Sequence, residues 1–220
     1  KSKENPFTFF KNNALPVFIY VGRLIESKKV DQLIYAFKNV NKHYQLCNLL
    51  IVGSGPEEEN LKSLAKNGII SKTTHFYGSC YDENTISKLI YNSICTISPG
   101  NIGLTVINSF SYGTPAITHG NFGNQMPEVE AIVENETGFL FNENDIKSLQ
   151  TQMLKVIKSK INFKILPIDF SVNYNSHHPY NRNNGSMVPA KGFQQLFSSG
   201  AFIELGPLSI QFKPEYHYAE

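Results

Sequence analysis

The chain has 220 residues, of which 41% are hydrophobic and 17% are charged. A wholly disordered chain is excluded, because disorder requires few apolar residues and a large net charge. The formal net charge is only +2, which indicates neither nucleic acid nor an anionic membrane surface as a partner. No stretch approaches the roughly 20 apolar residues of a membrane-spanning helix.

Composition changes near residue 160. Residues 161–220 contain 8 of the 38 charged residues but 10 of the 27 aromatic residues. The two parts therefore differ in kind, and we predict two domains, 1–160 and 161–220.

Residues 16–158 alternate strand-like and helix-like segments. The strand-like segments are short apolar runs, and the helix-like segments place apolar residues at a 3.6-residue period. Strands separated by helices predict parallel βαβ units and hence an α/β, Rossmann-like parallel sheet with flanking helices. Such a sheet binds ligands beyond the carboxyl ends of its strands. The predicted strands are 16–22, 49–53, 74–78, 94–98 and 115–118; the predicted helices are 30–40, 57–66, 84–91, 104–112 and 145–158.

After residue 160 the helical period stops. Residues 162–174, 197–204 and 208–213 read as strands, and residues 175–185 form a polar stretch rich in turn residues. This pattern predicts an incomplete antiparallel β segment after the parallel sheet.

The loop after the first predicted strand carries two cations. Arg23 offers a planar fork to phosphate oxygens, and Lys28 adds a mobile point charge. Both precede a predicted helix N-terminus, which favours anions. The loop is either a diphosphate clamp or a solvated basic turn.

Glycines follow two other predicted strands. Gly53 and Gly55 form a strand-to-helix turn, which tight-turn geometry alone explains more readily than ligand contact. Gly100 and Gly103 lie between the fourth strand and the next helix, where they allow the backbone to approach a ligand closely.

Four of these motifs occur together in order. The segments VGRLIESKKVDQLIYAF, LLIVGSGPEEENLK, HFYGS and SPGNIGLTVINSFSYGTPAITHG resemble the C-terminal, nucleotide-sugar-binding half of a GT-B, family-4-type (group 1) retaining glycosyltransferase. The resemblance covers residues 14–158. It implies a glycosyl transfer enzyme of hexosyltransferase type.

The resemblance assigns roles by position. It puts Arg23 and Lys28 on the donor diphosphate, and the donor would be a nucleotide-diphosphate sugar, with no cofactor and no metal. The acceptor would be a growing glycan or a lipid-linked glycan, without nucleic acid as a partner. The matching backbone positions are Gly103, Leu104 and Thr105 at the phosphate, and Gly22, Gly53 and Gly55 near the nucleotide.

This sequence departs from the family pattern. The family carries two glutamates seven residues apart, the first on the donor sugar and the second on the ribose, and Gly100 and Asn108 stand at those positions. Asn108 can still bond a hydroxyl, whereas Gly100 has no side chain. Lys29 also stands where the family usually has glycine.

The contact with the donor sugar is therefore missing, rearranged or supplied by a residue elsewhere in the chain. Glu128 and Glu130 follow the fifth strand and are candidates for that role. Alternatively, they form the acidic first turn of a helix that begins at Pro127.

A GT-B enzyme also needs an N-terminal acceptor domain, which these 220 residues do not match. Because proximity of acceptor and donor supplies much of the rate, we expect the isolated chain to bind a donor weakly and to transfer nothing. The location implied for residues 1–160 is cytoplasmic or peripheral at the inner membrane.

Residues 164–220 carry a different resemblance. HHPYNRNNGSMVPAKGFQ and GPLSIQFKPE resemble the N-terminal part of the capsule-assembly Wzi family, which helps to hold capsular polysaccharide at the outer membrane. The alternatives to an enzyme are therefore a polysaccharide-binding module or an inactive fusion of two reading frames. His177 and His178 lack a third ligand at typical spacing, so a metal site is disfavoured.

Overall fold

The computed structural model describes residues 5–43, 45–66, 68–159, 161–175, 192–205 and 208–219. The chain divides into two compact units, Lys1–Ile157 and Lys158–Glu220.

The first unit is a six-stranded parallel sheet with helices between its strands, in the order β3-β2-β1-β4-β5-β6. The predicted Rossmann-like architecture is confirmed. Its strands are β1 (Val17–Val21), β2 (Asn48–Val52), β3 (Thr74–Gly78), β4 (Cys95–Ser98), β5 (Ala116–His119) and β6 (Gly138–Phe141); its helices are α1 (Val30–Val40), α2 (Glu58–Ala65), α3 (Glu83–Asn92), α4 (Thr105–Ser111) and α5 (Ile146–Ser159).

The central strands are buried because helices cover both faces of the sheet. Every residue of β2 is buried, and so are the first four residues of β1. Helix α1 presents one apolar face to this core through Leu33, Ile34 and Phe37, while Asp31 and Lys38 stay exposed. Each such side chain contributes roughly 1.5–3 kcal/mol when it is removed from water.

The strand order reverses at β1, which pairs with β2 on one side and β4 on the other. Ligands bind at such a reversal, outside the carboxyl ends of the two neighbouring strands. The loops after β1 and β4 therefore bound the expected ligand site.

Two elements of the first unit differ from the sequence reading. Strand β6 is not predicted from the sequence, because its four residues, GFLF, form a short run between polar segments. It pairs with β5. The segment after Pro127 is a short 3-10 helix, Pro127–Ala131, with Glu128 and Glu130 in its first turn.

The second unit is an antiparallel sheet in which one central strand pairs with the three others. It contains β7 (Ile161–Asn175), β8 (Gly192–Leu205), β9 (Leu208–Phe212) and β10 (Glu215–Ala219). The antiparallel prediction is confirmed, although β10 was missed because Pro214 interrupts the alternating pattern. Residues 176–191, with most of the polar stretch and the His177–His178 pair, lie outside the described residues.

Within the described residues, no helix combines the length and apolar character needed to cross a membrane.

A buried amide holds the connection between α1 and β2. Asn41 is fully buried, and its Nδ2 donates to the Cys47 carbonyl oxygen at 2.9 Å. Its Oδ1 accepts from the backbone amides of Leu46 at 2.9 Å and Cys47 at 3.3 Å. One side chain thus satisfies three backbone groups just before the core strand begins.

We expect Asn41→Ala to lower the free energy of unfolding by roughly 2–4 kcal/mol, because buried backbone groups lose their partners. Urea denaturation measures the change. Asn39→Ala is the matched control: it lies two residues earlier on the exposed face of α1 and should shift stability by no more than about 0.5 kcal/mol. Equal effects of the two substitutions would contradict this role for Asn41.

Candidate functional site

A cleft opens at the carboxyl edge of the parallel sheet. Its volume is about 270 Å³. The loops that follow β1, β4, β5 and β6 supply its walls, as expected for a sheet of this topology. The lining residues are Ser27, Lys29, Gly100, Asn101, His119, Asn124 and Glu143.

Lys28 ties the β1 loop to the β4 loop. Its Nζ donates to the Asn101 side-chain oxygen at 2.6 Å and to the Asn101 carbonyl oxygen at 2.8 Å. The Gly100 amide donates in return to the Lys28 carbonyl oxygen at 3.1 Å. Partial burial lowers the pKa of the Lys28 ammonium group. The two loops flanking the strand-order reversal are therefore joined directly.

The close contact between these loops leaves no room for a side chain at position 100. A Cβ atom on Gly100 would lie 2.3 Å from the Ser27 carbonyl oxygen and 2.8 Å from the Lys28 Cα. Both are backbone atoms, so they cannot move aside cheaply. The glycine at the position of the family's first glutamate is thus required by packing in this chain.

Lys29 adopts a left-handed backbone conformation, with φ 52° and ψ 37°. That conformation costs an L-residue roughly 1–2 kcal/mol. This cost explains why the family pattern described above usually has glycine at this position. Here the Lys29 ammonium forms an ion pair with Glu143 at 2.7 Å. The side chain thereby links the start of α1 to the loop after β6.

Glu143 is the centre of a polar cluster in the cleft. Its Oε2 accepts hydrogen bonds from the Nδ2 atoms of Asn121 (2.6 Å) and Asn124 (2.9 Å). The hydrogen bonds from Lys29 and from the two amides lower the pKa of the Glu143 carboxyl to about 2. Glu143 is therefore an ionised acceptor at neutral pH.

Gln125 fixes the β4 loop from the opposite side. Its Oε1 accepts from the Ile102 amide at 3.0 Å, and its Nε2 donates to the Thr118 hydroxyl at 2.8 Å. The Thr118 hydroxyl in turn donates to the Ser98 carbonyl oxygen at 2.8 Å. Residues 98–102 are thus held between Lys28 on one side and Gln125 on the other.

The predicted site residues that follow β1 and β2 lie at the carboxyl ends of these strands. Arg23 is exposed, and its carbonyl oxygen accepts a hydrogen bond from the Tyr20 hydroxyl at 2.8 Å, close to Gly22. Gly53 has φ 144°, and a Cβ there would lie 1.8 Å from the Gly22 carbonyl oxygen. Gly55 likewise contacts the Leu24 backbone. Close backbone packing therefore accounts for both Gly53 and Gly55.

The predicted phosphate turn leads into α4. Gly103 has φ 52°, and Leu104, which precedes the helix, is largely exposed. The Thr105 hydroxyl donates weakly to the Val21 carbonyl oxygen at 3.4 Å. Asn108 lies exposed on α4. The contact between Thr105 and Val21, the last residue of β1, brings the start of α4 next to the end of β1.

Glu128 and Glu130 do not line the cleft. They occupy the 3-10 helix that begins at Pro127, as the alternative sequence reading proposed. Glu130 is exposed, whereas the Oε2 of Glu128 is buried without a hydrogen-bond partner among the described residues. The carboxylate that reaches the cleft is Glu143, which sequence reasoning missed.

Several polar residues at the cleft are not predicted from the sequence. Glu143 is one of them, because β6, the strand before it, is not predicted. His119 and Asn124 also line the cleft, whereas Asn121 and Gln125 bond lining residues from outside it. His119 ends β5, and the other three lie in the loop after β5. Within the described ranges, no group of three or more His, Cys, Asp or Glu side chains could hold a metal ion.

A family model decides the classification. The model for glycosyl transferases group 1 matches residues 1–167, which is most of the chain. The chain belongs to this family. The family prediction made from the sequence motifs is confirmed, and the match extends into β7.

Relatives of this group 1 chain include an uncharacterized glycosyltransferase of Haemophilus influenzae, which is 33% identical over 154 residues; the match covers 66% of this chain and 42% of that protein. The capsular polysaccharide biosynthesis glycosyltransferase CapM of Staphylococcus aureus is 24% identical over 147 residues, covering 64% of this chain and 36% of CapM. The chain therefore spans less than half the length of these curated relatives.

Solved glycosyltransferase structures share the fold. A mutant of S. aureus TarM, crystallised with fondaparinux, alpha-GlcNAc-glycerol and UDP, superposes with a TM-score of 0.59 at 17% identity. The superposition covers 72% of this chain and 31% of TarM. At this identity the likeness supports the fold of the parallel-sheet unit.

We expect Gly100→Ala and Gly100→Glu both to lower the free energy of unfolding by roughly 1–3 kcal/mol, because the added atoms meet backbone that cannot yield. Urea denaturation measures both changes. The control is Asn108→Glu, which restores the family's second glutamate at an exposed helical position and should stay within about 0.5 kcal/mol. A Gly100→Glu protein as stable as the parent would contradict the packing argument.

Proposed function

We propose that residues 1–160 form the donor-binding half of a glycosyltransferase that takes sugar from a nucleotide-diphosphate sugar. The observation that carries the proposal is the direct junction of the β1 and β4 loops at the strand-order reversal. Lys28, which bonds Asn101 of the β4 loop, and the exposed Arg23 both belong to the loop after β1, and Thr105 bonds Val21 at the end of β1.

The diphosphate would bind at this junction. An ammonium group has three N–H donors, and the two contacts with Asn101 leave one of those on Lys28 for a phosphate oxygen. Arg23 has no hydrogen-bonded or ionic partner for its side chain among the described residues, so its fork is available to a second oxygen. Gly22, Gly53 and Gly55 would lie beneath the nucleotide, and Asn108 would bond the ribose.

The acceptor we propose is a growing capsule or other surface glycan, free or lipid-linked. Two observations on similar proteins support it: CapM is named for capsular polysaccharide biosynthesis, and TarM was crystallised with UDP and alpha-GlcNAc-glycerol. Because this chain matches less than half of its relatives' length, we propose that acceptor binding and transfer need a further domain, and that this chain alone turns over no donor.

We expect Arg23→Ala and Lys28→Ala each to weaken binding of UDP or GDP by about tenfold, because a charge-assisted hydrogen bond contributes roughly 1.5–3 kcal/mol. Titration calorimetry with each nucleotide measures the change. Lys38→Ala is the matched control, since Lys38 is an exposed cation on α1. Unchanged affinity in both site variants would refute the diphosphate site.

A second function is favoured for residues 161–220 by an exposed aromatic face. Phe170, Phe197 and Tyr216 pair directly across β7, β8 and β10, and they are 62%, 45% and 67% exposed. The opposite face of β8 presents Gln194 and Ser198, which are buried. A cluster of exposed aromatic side chains on one face is unusual for a water-soluble sheet.

We propose that this aromatic face contacts lipid, in keeping with the resemblance of residues 164–220 to an outer-membrane, capsule-assembly family. Co-sedimentation of the full chain with phosphatidylethanolamine–phosphatidylglycerol vesicles tests it. The triple variant Phe170→Ser, Phe197→Ser and Tyr216→Ser should bind at least about tenfold more weakly, given the apolar area removed. Tyr81→Ser, at a 93% exposed position of the first unit, is the control. Equal vesicle binding by the triple variant and the parent would contradict the proposal.

A further inference from the structure

A buried histidine forms part of the cleft wall. His119 ends β5, lines the cleft and is only 1% exposed. Its Nδ1 is buried and has no partner among the described residues. A buried polar group left unpaired costs roughly 1–3 kcal/mol. A ligand that supplies a hydroxyl group would recover that cost.

The polar cluster around Glu143 has unused capacity for the same kind of ligand. A carboxylate offers about four acceptor positions, and three are taken by Lys29, Asn121 and Asn124. The fourth can accept a hydrogen bond from a hydroxyl. Because Lys29 and its two amide neighbours hold the carboxylate in one orientation, that acceptor has a fixed direction.

We infer that this cleft binds the ring of the donor sugar, with Glu143 and His119 as hydrogen-bond partners of its hydroxyl groups. The inference rests on the proposed donor site, because the cleft shares Gly100 and Asn101 with the loop that Lys28 holds. Glu143 would then supply, from the loop after β6, the carboxylate that position 100 has no room to carry.

The volume of the cleft is sufficient for one sugar ring. It measures about 270 Å³, just below the roughly 300–1,000 Å³ of clefts that enclose drug-sized ligands. We place the sugar in this space and the nucleotide outside it, over β1 and β4.

The charges of the cleft favour a neutral sugar. Glu143 is ionised and its charge is matched by Lys29. Burial lowers the pKa of His119, so its imidazole adds no positive charge near neutral pH. A uronic acid would bring a second carboxylate toward Glu143, and Lys29, the one lysine or arginine among the described lining residues, is already paired with Glu143. Two neighbouring carboxylates repel each other.

Titration calorimetry separates the sugar contacts from the nucleotide contacts. We would compare the affinity for UDP with those for UDP-glucose, UDP-galactose, UDP-N-acetylglucosamine and UDP-glucuronate. We would likewise compare the affinity for GDP with that for GDP-mannose. For at least one neutral sugar, the nucleotide sugar should bind about tenfold more tightly than the nucleotide alone, which corresponds to roughly 1.4 kcal/mol. UDP-glucuronate should show no such gain.

Two variants remove one contact each. Glu143→Gln and His119→Leu should each abolish most of the tenfold gain and leave the affinity for the free nucleotide within about twofold. His119→Leu removes a buried Nδ1 that has no partner among the described residues and keeps an apolar side chain next to Phe141, so its thermal stability should equal or exceed that of the parent. His119→Gln should restore part of the gain. His75→Leu, at the far edge of the sheet on β3, is the matched control.

The outcomes distinguish a failure of the sugar cleft from a failure of the donor-binding function. If UDP or GDP binds but no neutral sugar adds affinity, or if both variants keep the gain, the sugar cleft is refuted while the donor-binding function stands. If uronate adds affinity and neutral sugars do not, the charge argument and the cleft assignment both fail. If neither nucleotide binds, the proposed function itself fails.

Discussion

The close approach of two loops at the strand-order reversal is the constraint on which the site depends. The Gly100 amide bonds the Lys28 carbonyl oxygen, and the Lys28 ammonium bonds Asn101 in return. This reciprocal contact requires glycine at position 100, since a Cβ would meet backbone at 2.3 Å. It also orients the Lys28 ammonium of the proposed diphosphate site. The same contact therefore sets both the packing of the two loops and the position of a proposed phosphate-binding cation.

The same constraint explains how this group 1 chain differs from its family pattern. With a side chain excluded at position 100, a carboxylate can reach the cleft only from another loop. Glu143 does so from the loop after β6, where Lys29, Asn121 and Asn124 hold it. Lys29 itself occupies a conformation that favours glycine, and its ion pair with Glu143 offsets that strain. The two departures at positions 29 and 100 therefore belong to one rearranged edge.

Much of the first unit could be predicted from the sequence, because buried parallel strands are continuous apolar runs and amphipathic helices show a clear period. Helix α1 has the predicted bounds, Val30–Val40, since its apolar face is unambiguous. Strand β6 could not be predicted, because a run of four residues between polar segments carries little pattern. Without β6, the loop that follows it and Glu143 could not be assigned to the carboxyl edge of the sheet. Glu128 was a reasonable candidate by chain position, but the turn at Pro127 carries it away from the cleft. Side-chain networks such as that of Gln125 depend on which loops meet in space, and no local pattern encodes that.

The most direct test of the central claim is to map where a nucleotide sugar touches the chain. Amide chemical shifts of isotope-labelled protein would be followed during titration with the nucleotide sugar that binds best. The account predicts that the perturbed amides cluster in residues 22–29, 98–105 and 119–125 and near Glu143, at the carboxyl edge of the parallel sheet. Perturbations confined to other parts of the chain, or none at saturating nucleotide sugar, would contradict it.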